Sequence, residues 1–370
     1  GCLGSVAVVM NKIARDSRID PRIRAFYRDL PEASVALKGT FESREAYVAH
    51  AMESIQQNGQ GPKPSPKPVP LEVKALWSKA NLRITTEYFV SHPDENECAM
   101  LLIRPVNADP LRRFPLVYYI HGGAMAIGSA FDPEKVAWGR MIANQDVAVA
   151  LVDFRNSLLP SAWFGRGGGT EVAEFPGGLN DCYSGLQFVH ANAERWGLDP
   201  QKILVAGESG GGNLSIALAL KAARSEQSGL LGAGFYALCP YIAGRWPQDE
   251  TNTGILGTSH LDSVSMGVGL DVGGNAPALA YSATTFADSL AWPAHATVEE
   301  LKVLQGMQGV ISVNECDPLR DEGVLFYRKC MQAGLCIRCR EVLGTPHGGD
   351  LMLSAVPDIS LETARSIADS

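Results

Sequence analysis

One stretch, residues 203–217, reads Ile-Leu-Val-Ala-Gly-Glu-Ser-Gly-Gly-Gly-Asn-Leu-Ser-Ile-Ala. An apolar run with strand character leads into a G-x-S-x-G motif at 207–211, and an apolar helical pattern follows at once, which is the strand–turn–helix context that the motif requires. A serine hydroxyl is a weak nucleophile unless a base activates it, and a sharp turn places it where a base can reach. Glycine tolerates the backbone angles of such a turn because it has no Cβ. The pattern favours Ser209 as a nucleophile over an ordinary glycine-rich turn or a phosphate loop.

Composition sets the broad class of the protein. The chain has 370 residues, of which 46% are hydrophobic and 19% charged, as is typical of a globular enzyme. A net charge of −8 argues against nucleic acid and anionic membrane surfaces as partners, since both attract basic proteins. No apolar run approaches the roughly 20 residues of a membrane span. The first ten residues lack a basic segment and a cleavage site, so no signal peptide is predicted.

The eight cysteines point to a reducing compartment. In a chain this long they do not form the dense disulfide framework of a small secreted domain. Cys336 and Cys339 form a lone C-x-x-C within an apparent strand, without the second ligand pair that a zinc site needs. We therefore predict unpaired, mostly buried thiols, a cytoplasmic location, no metal and no cofactor.

The chain divides into segments of different character. Residues 1–60 contain charge-rich helical patterns, and residues 61–80 are a proline-rich connector and lead-in. Strand and helix patterns alternate over 81–240 and again over 298–370, which predicts an α/β fold with a mostly parallel eight-stranded sheet and helices on both faces. Residues 241–297 interrupt this alternation. We expect them to pack with residues 1–60 as a helical cap over the strand ends.

The predicted strands and helices indicate at which edge of the sheet the functional residues should lie. The predicted strands are Leu82–Val90, Cys98–Val106, Leu116–Ile120, Val147–Asp153, Ile203–Gly207, Gly234–Leu238, Gly309–Asn314 and Leu335–Val342. The predicted helices in the same region include Lys135–Asn144, Asn180–Trp196, Asn213–Ser225, Asp321–Ala333 and Asp350–Ala355. Ligands of such sheets bind beyond the carboxyl ends of the strands, which is where Ser209 falls.

Three histidines follow Ser209 in the chain and are candidates for its base. His347 lies in a Gly/Pro turn directly after the last predicted strand, and therefore at the same sheet edge as Ser209. His260 and His295 fall in the irregular insertion, where packing or surface roles are typical. In α/β hydrolases the base comes last in the chain, and His347 is the predicted base.

A buried carboxylate is needed to orient the base and stabilise its protonated form. Asp317 directly follows a predicted strand, and Pro318 ends that strand. Glu315 is expected to be still within the strand, and Asp321 is expected to begin the next helix as a cap. Asp317 is the predicted acid.

Backbone N–H groups that stabilise an oxyanion are predicted from His121-Gly-Gly-Ala124, which follows a strand as HGGG-type motifs do. His121 is expected to brace this loop. Gly210, at the start of the helix after Ser209, offers a further N–H group. A second glycine-rich segment, Phe164–Thr170, lacks the residues of a phosphate-binding loop and is predicted to be a mobile surface loop.

Together these motifs resemble the hormone-sensitive-lipase family of α/β-hydrolases, the group of bacterial carboxylesterases. The resemblance covers residues 115 to 350 and comprises, in order, His121-Gly-Gly-Ala, Val152-Asp-Phe-Arg, Phe175-Pro-Gly-Gly-Leu-Asn-Asp, Gly207-Glu-Ser-Gly-Gly-Gly-Asn, Asp317-Pro-Leu-Arg-Asp-Glu-Gly and His347-Gly.

The resemblance implies Ser209, Asp317 and His347 as a catalytic triad, with Gly122, Gly123 or Ala124, and Gly210 supplying oxyanion N–H groups. It also implies a helical cap, a small-molecule ester as substrate and, in many members, a homodimer. Ala124 stands where the family usually has glycine, and Glu208 and Gly210 stand where it commonly has Asp and Ala. We predict a serine carboxylesterase acting on short- to medium-chain esters. The alternatives are an amidase or lactonase with the same triad, or a non-catalytic binding protein of this fold.

Overall fold

A computed structural model of the protein describes residues 13–28, 39–58, 81–106, 109, 111–245, 259, 275–282 and 287–370. The predicted connector at 61–80, the first twelve residues, His260 and most of the predicted insertion lie outside the described residues.

The core is an eight-stranded, mostly parallel sheet, as predicted. Its strands are β1 (Leu82–Ser91), β2 (Asn96–Pro105), β3 (Phe114–Ile120), β4 (Ala148–Asp153), β5 (Leu198–Glu208), β6 (Gly234–Leu238), β7 (Gly309–Asn314) and β8 (Ile337–Val342). They are ordered β1-β2-β4-β3-β5-β6-β7-β8. β2 is antiparallel to β1 and to β4, and all other neighbours are parallel. The carboxyl ends of β3 to β8 therefore share one edge.

Helices cover both faces of this sheet. The helices are α1 (Pro21–Arg28), α2 (Arg44–Asn58), α3 (Pro133–Ala143), α4 (Gly177–Asn192), α5 (Gly210–Arg224), α6 (Ala276–Tyr281), α7 (Val298–Leu301), α8 (Arg320–Gln332) and α9 (Pro357–Ala368). One apolar core joins the sheet to α4, α5 and α8, and a second core on the opposite face joins it to α3 and α9. Among the described residues, no helix has the length and apolar character needed to cross a bilayer.

The predicted helix at Asp350–Ala355 is wrong. The chain there forms a short 3₁₀ turn at Gly349–Leu351, and the last helix begins later, at Pro357. Asp350 is 1% exposed and accepts hydrogen bonds from the side chains of Asn314 and Thr363, which fix it in a turn. Proline favours the first helical position because its missing N–H is not needed there.

The N-terminal helices pack against the core and against the described part of the insertion. In α1, Ile23 is fully buried in a small apolar cluster that includes Cys316. In α2, Tyr47 is fully buried in the main core. The Asn275 side chain accepts from the Phe41 N–H and donates to the Phe41 carbonyl, each at 2.8 Å. These contacts join the two segments from which we predict a cap, and a cap over the strand ends stays a prediction.

Candidate active site

Ser209 lies at the turn between β5 and α5 in a strained backbone conformation. Its φ of 56° and ψ of −116° are unusual for a residue with a side chain, and such a conformation costs about 1–3 kcal/mol unless its surroundings hold it. The flanking glycines permit the turn. A Cβ on Gly207 would lie 2.5 Å from the Ile120 carbonyl oxygen, and one on Gly211 would lie 2.0 Å from it. The turn thus packs directly against β3, and only glycine fits at its two ends.

The structure brings Ser209, His347 and Asp317 together in one hydrogen-bonded row. His347 Nε2 lies 3.0 Å from Ser209 Oγ, and His347 Nδ1 lies 2.8 Å from Asp317 Oδ2. Because a carboxylate can only accept, Nδ1 of the neutral ring carries the proton, and Nε2 is left to accept from the serine hydroxyl. Asp317 follows β7 and His347 follows β8, so the common sheet edge assembles the row.

The rival acids and bases have other partners. Glu315 Oε2 accepts the Gly344 N–H at 2.7 Å, and the Asp321 carboxylate accepts from Arg320 Nε and the Ser259 N–H. His295 Nε2 lies 2.9 Å from the Ala243 carbonyl oxygen. The Asp317 carboxylate, in contrast, is hydrogen-bonded to His347.

Burial and charge act in opposite directions on His347. Burial alone would lower its pKa, but the Asp317 carboxylate outweighs it, and the pKa lies well above its ordinary value. Asp317 is fully buried, and its other oxygen, Oδ1, accepts the Leu319 N–H at 2.9 Å. Water therefore competes little for this carboxylate, which strengthens its effect on the imidazole.

A buried thiol, which sequence reasoning did not single out, lies beside the row. Donor atoms of Cys239, Asp317 and His347 all lie within 4.8 Å of one another, and thiol, carboxylate and imidazole are zinc ligands. Both nitrogens of His347 already face Ser209 and Asp317, however, so a metal ion would have to displace one of these contacts. Burial raises the pKa of the Cys239 thiol, which disfavours the thiolate that a metal binds.

The loop after β3 turns sharply beside Ser209. Gly123, Ala124 and Met125 all have positive φ, at 116°, 54° and 59°. Among the described residues, the N–H groups of Gly123 and Ala124 have no hydrogen-bond acceptor, and Gly210, as the first residue of α5, has no intrahelical acceptor.

Gly122, the fourth predicted oxyanion residue, differs from the other three. Its N–H donates to Glu208 Oε1 at 2.8 Å and is already engaged. This bond leaves Gly123, Ala124 and Gly210 as the candidate donors.

His121 occupies the bracing position expected of it. The ring is 2% exposed, stacks on Phe154 with centroids 4.4 Å apart, and places Nδ1 2.8 Å from the Gly122 carbonyl oxygen. Burial lowers its pKa, which favours the neutral ring.

The second glycine-rich segment, Phe164–Thr170, is anchored to the core. The Gly169 N–H donates to Asp153 Oδ2 at 3.1 Å, and the Ser161 hydroxyl donates to the same oxygen at 2.6 Å. A Cβ on Gly168 would lie 2.6 Å from the carbonyl carbon of Ser161. Glycine is therefore required here for close packing as well as for the turn.

Comparison with known proteins shows the family. A family model described as alpha/beta hydrolase fold matches residues 117–350, well over half of the chain. The chain belongs to this α/β-hydrolase family. The matched region contains all three members of the hydrogen-bonded row. Similarity to a bacterial homologue of human hormone sensitive lipase confirms the resemblance to the hormone-sensitive-lipase family.

Among solved structures, this hydrolase is similar to esterase Est22, with 41% identity, a TM-score of 0.81, and 97% of this chain and 98% of that chain covered. It is also similar to brefeldin A esterase, described as a bacterial homologue of human hormone sensitive lipase, with 28% identity, a TM-score of 0.76, and 96% and 93% covered. Carboxylesterase NlhH of Mycobacterium tuberculosis is 26% identical over 266 residues, 71% of this chain and 74% of that protein. The protein is thus a carboxylesterase-type α/β hydrolase.

Proposed function

We propose that the protein hydrolyses short- to medium-chain carboxylic esters through an acyl-enzyme intermediate on Ser209. The observation that carries this proposal is the unbroken row from Ser209 Oγ through His347 to Asp317, with contacts of 3.0 and 2.8 Å. These distances are within the range in which a base can take a proton from a nucleophile.

In the acylation half of the reaction, His347 Nε2 takes the proton of the Ser209 hydroxyl as Oγ attacks the ester carbonyl carbon. The Asp317 carboxylate stabilises the imidazolium that forms. The tetrahedral intermediate then collapses, the bond to the alcohol oxygen breaks, and the alcohol leaves with the proton from His347. In the second half, His347 deprotonates water, which attacks the acyl carbon, and the proton returns to Ser209 as the acid departs.

The N–H groups of Gly123, Ala124 and Gly210 are the proposed donors to the oxyanion. Each lies beside Ser209 in the chain or in the loop packed against it, and a Cβ on Gly210 would lie 2.9 Å from Ala124 Cα. A preorganised donor of this kind contributes roughly 3–4 kcal/mol to transition-state stabilisation. The Met125 side chain crowds this region, since a Cβ on Gly210 would lie 2.8 Å from Met125 Sδ. We expect this crowding to favour modest acyl groups.

A p-nitrophenyl ester series from acetate to palmitate tests the proposal, with Ser209→Ala as the control and a p-nitroanilide of matched acyl length alongside. We expect turnover of the shorter esters, little turnover of the anilide, and loss of activity in Ser209→Ala. Esters that the wild type and Ser209→Ala hydrolyse at equal rates would contradict the proposal, and a faster anilide would favour an amidase. The substituted alanine should leave the fold intact, which a thermal melt checks.

A further inference from the structure

Glu208 directs its side chain away from solvent and toward the loop that precedes the oxyanion donors. The residue is 4% exposed although it carries a carboxylate and directly precedes Ser209. Its Oε1 accepts the Gly122 N–H at 2.8 Å and the Lys135 ammonium at 2.5 Å. Lys135 is in the first turn of α3, the helix that follows the loop. One carboxylate oxygen thus links the turn that carries Ser209 to Gly122 at the start of the loop and to Lys135 in the helix that follows the loop.

The contact with Gly122 is close enough to set the path of the loop. A Cβ on Gly122 would lie 2.9 Å from the Glu208 carbonyl oxygen and 3.2 Å from Oε1. Immediately afterwards the backbone enters the positive φ values of Gly123 and Ala124. Glu208 accepts the Gly122 N–H. The N–H groups of the next two residues, Gly123 and Ala124, therefore point away from Glu208 and are left to bind an oxyanion.

The carboxylate also creates an electrostatic problem at this position. A negative charge one residue from Ser209 opposes the negative charge that develops on the substrate oxygen, and the opposition is strong where water is excluded. Lys135 supplies the compensating charge. Burial alone would raise the pKa of Glu208, but the Lys135 ammonium and the Gly122 N–H outweigh it, so the pKa is lowered and the group stays ionised.

The other titratable groups that face Glu208 are Tyr119 on β3 and His121 just after it. Burial raises the pKa of Tyr119 and lowers that of His121, so both remain neutral. Burial would lower the pKa of Lys135, but Glu208 outweighs it and raises that pKa. Of the charged groups described around the carboxylate, Lys135 is therefore the one that balances it.

We propose that the Glu208–Lys135 ion pair positions the oxyanion loop: the carboxylate fixes Gly122, and the ammonium cancels the charge of the carboxylate toward the reacting ester. Glu208 is a positioning residue that acts through the backbone of Gly122. Lys135 is a positioning residue that acts through the carboxylate of Glu208. This inference rests on the proposed function of Ser209 and its loop.

Four variants separate position from charge. Lys135→Met leaves the carboxylate without its counter-charge, Glu208→Ala removes the acceptor of Gly122, Glu208→Gln keeps an acceptor without charge, and the double variant Glu208→Gln/Lys135→Met is neutral throughout. Lys302→Met, which breaks a surface ion pair with Glu299, is the matched control.

We expect Lys135→Met and Glu208→Ala to lower kcat on p-nitrophenyl butyrate by about tenfold or more with KM little changed, a smaller loss than removal of a whole oxyanion donor. The double variant should return kcat to within about threefold of wild type, because its side-chain amide oxygen can still accept from Gly122. In Lys135→Met, Glu208 becomes charged as the pH rises through its pKa, whereas the double variant has no ionisable group at either position. The ratio of kcat in Lys135→Met to kcat in the double variant should therefore fall as pH rises through that pKa. Thermal melts distinguish these effects from loss of folding.

Hydrogen exchange of the peptide containing residues 121–128 gives a readout that needs no substrate. Exchange should quicken in Glu208→Ala and stay near wild type in Glu208→Gln. If Lys135→Met and Glu208→Ala keep the wild-type kcat, and Glu208→Ala keeps the wild-type exchange rate of residues 121–128, the inference is overturned. Ester turnover by the wild type would still support the proposed function in that case. Equal losses in Lys135→Met and the double variant, with no pH-dependent ratio, would also overturn the inference. If the wild type hydrolyses no ester, the proposed function fails, and unchanged exchange in Glu208→Ala would then overturn the positioning role as well.

Discussion

The side-chain amide of Asn314 donates a hydrogen bond to the Asp350 carboxylate at 2.9 Å, across the base of the turn that carries His347. The same amide group donates to Thr345 Oγ1 at 2.8 Å, and Asn314 Oδ1 accepts the Gly348 N–H at 3.2 Å. Asn314 is the last residue of β7, three positions before Asp317. One buried side chain therefore ties the strand that leads to Asp317 to both sides of His347.

Replacing Asn314 with Ala should misplace the imidazole. The change leaves Asp350 and Thr345 short of a donor in a buried site, which costs about 1–3 kcal/mol of unfolding free energy. Loss of alignment should lower kcat by about 10- to 100-fold. Steady-state kinetics and a thermal melt measure the two effects.

The matched control for Asn314→Ala is Thr363→Val. Thr363 donates to the other oxygen of Asp350 from α9, at 3.0 Å. This variant should lower the melting temperature and leave kcat near wild type. If both variants lose kcat in proportion to stability, Asn314 supports the fold and does not align His347.

Asp317→Asn should lower kcat by about 10⁴-fold with a smaller change in KM. The amide in place of the carboxylate can present an N–H to the ring, which favours the wrong tautomer of His347 and no longer stabilises the imidazolium. Glu315→Gln, two residues away, keeps an oxygen that can accept the Gly344 N–H and should retain most activity. Comparable losses in the two variants would mean that Glu315 shares the role.

The pH dependence of kcat/KM should report the raised pKa of His347. The imidazole must be neutral to accept the Ser209 proton, so activity is lost as pH falls through its pKa. Because Asp317 raises that pKa well above the ordinary histidine value of about 6.5, the acid limb should have its midpoint above pH 6.5. A midpoint at or below 6.5, measured with a substrate that has no ionisable group, would be inconsistent with this geometry.

Gly210→Ala should impair this chain although the family commonly has alanine there. The added Cβ would lie 2.6 Å from the Met125 backbone nitrogen, so the loop after β3 has to shift. We expect kcat to fall by about tenfold or more. Gly229→Ala is the control, since its Cβ would meet nothing within 4 Å; equal kcat in the two variants would show that the loop accommodates the methyl group.

Much of the architecture was predictable because the signals are local. Buried parallel strands are continuous apolar runs, and the predicted bounds of β6 and β7 match the structure. Ser209, Asp317 and His347 each lie in the turn that follows a parallel strand, so their meeting at one edge follows from the parallel topology.

Contacts that depend on three-dimensional packing were not predictable. Glu208 occupies the first x of the G-x-S-x-G motif, which specifies no residue there, and no sequence spacing relates it to Lys135, 73 residues earlier. The engagement of the Gly122 N–H follows from the same packing. The wrong prediction of a helix at Asp350–Ala355 has a similar cause. Asp350 accepts a hydrogen bond from Asn314 of β7, and the sequence gives no sign of this contact.

The most direct test of the account is to trap the acyl-enzyme. Wild-type protein is mixed with p-nitrophenyl acetate, quenched in acid within the first turnovers, and analysed by intact mass spectrometry and peptide mapping. We expect one added acetyl group on the peptide containing Ser209, absent from Ser209→Ala and lost again from the wild type once the substrate is consumed. Hydrolysis that proceeds with no acetyl group on Ser209 in any of these proteins, or with acetyl on another residue, would contradict it.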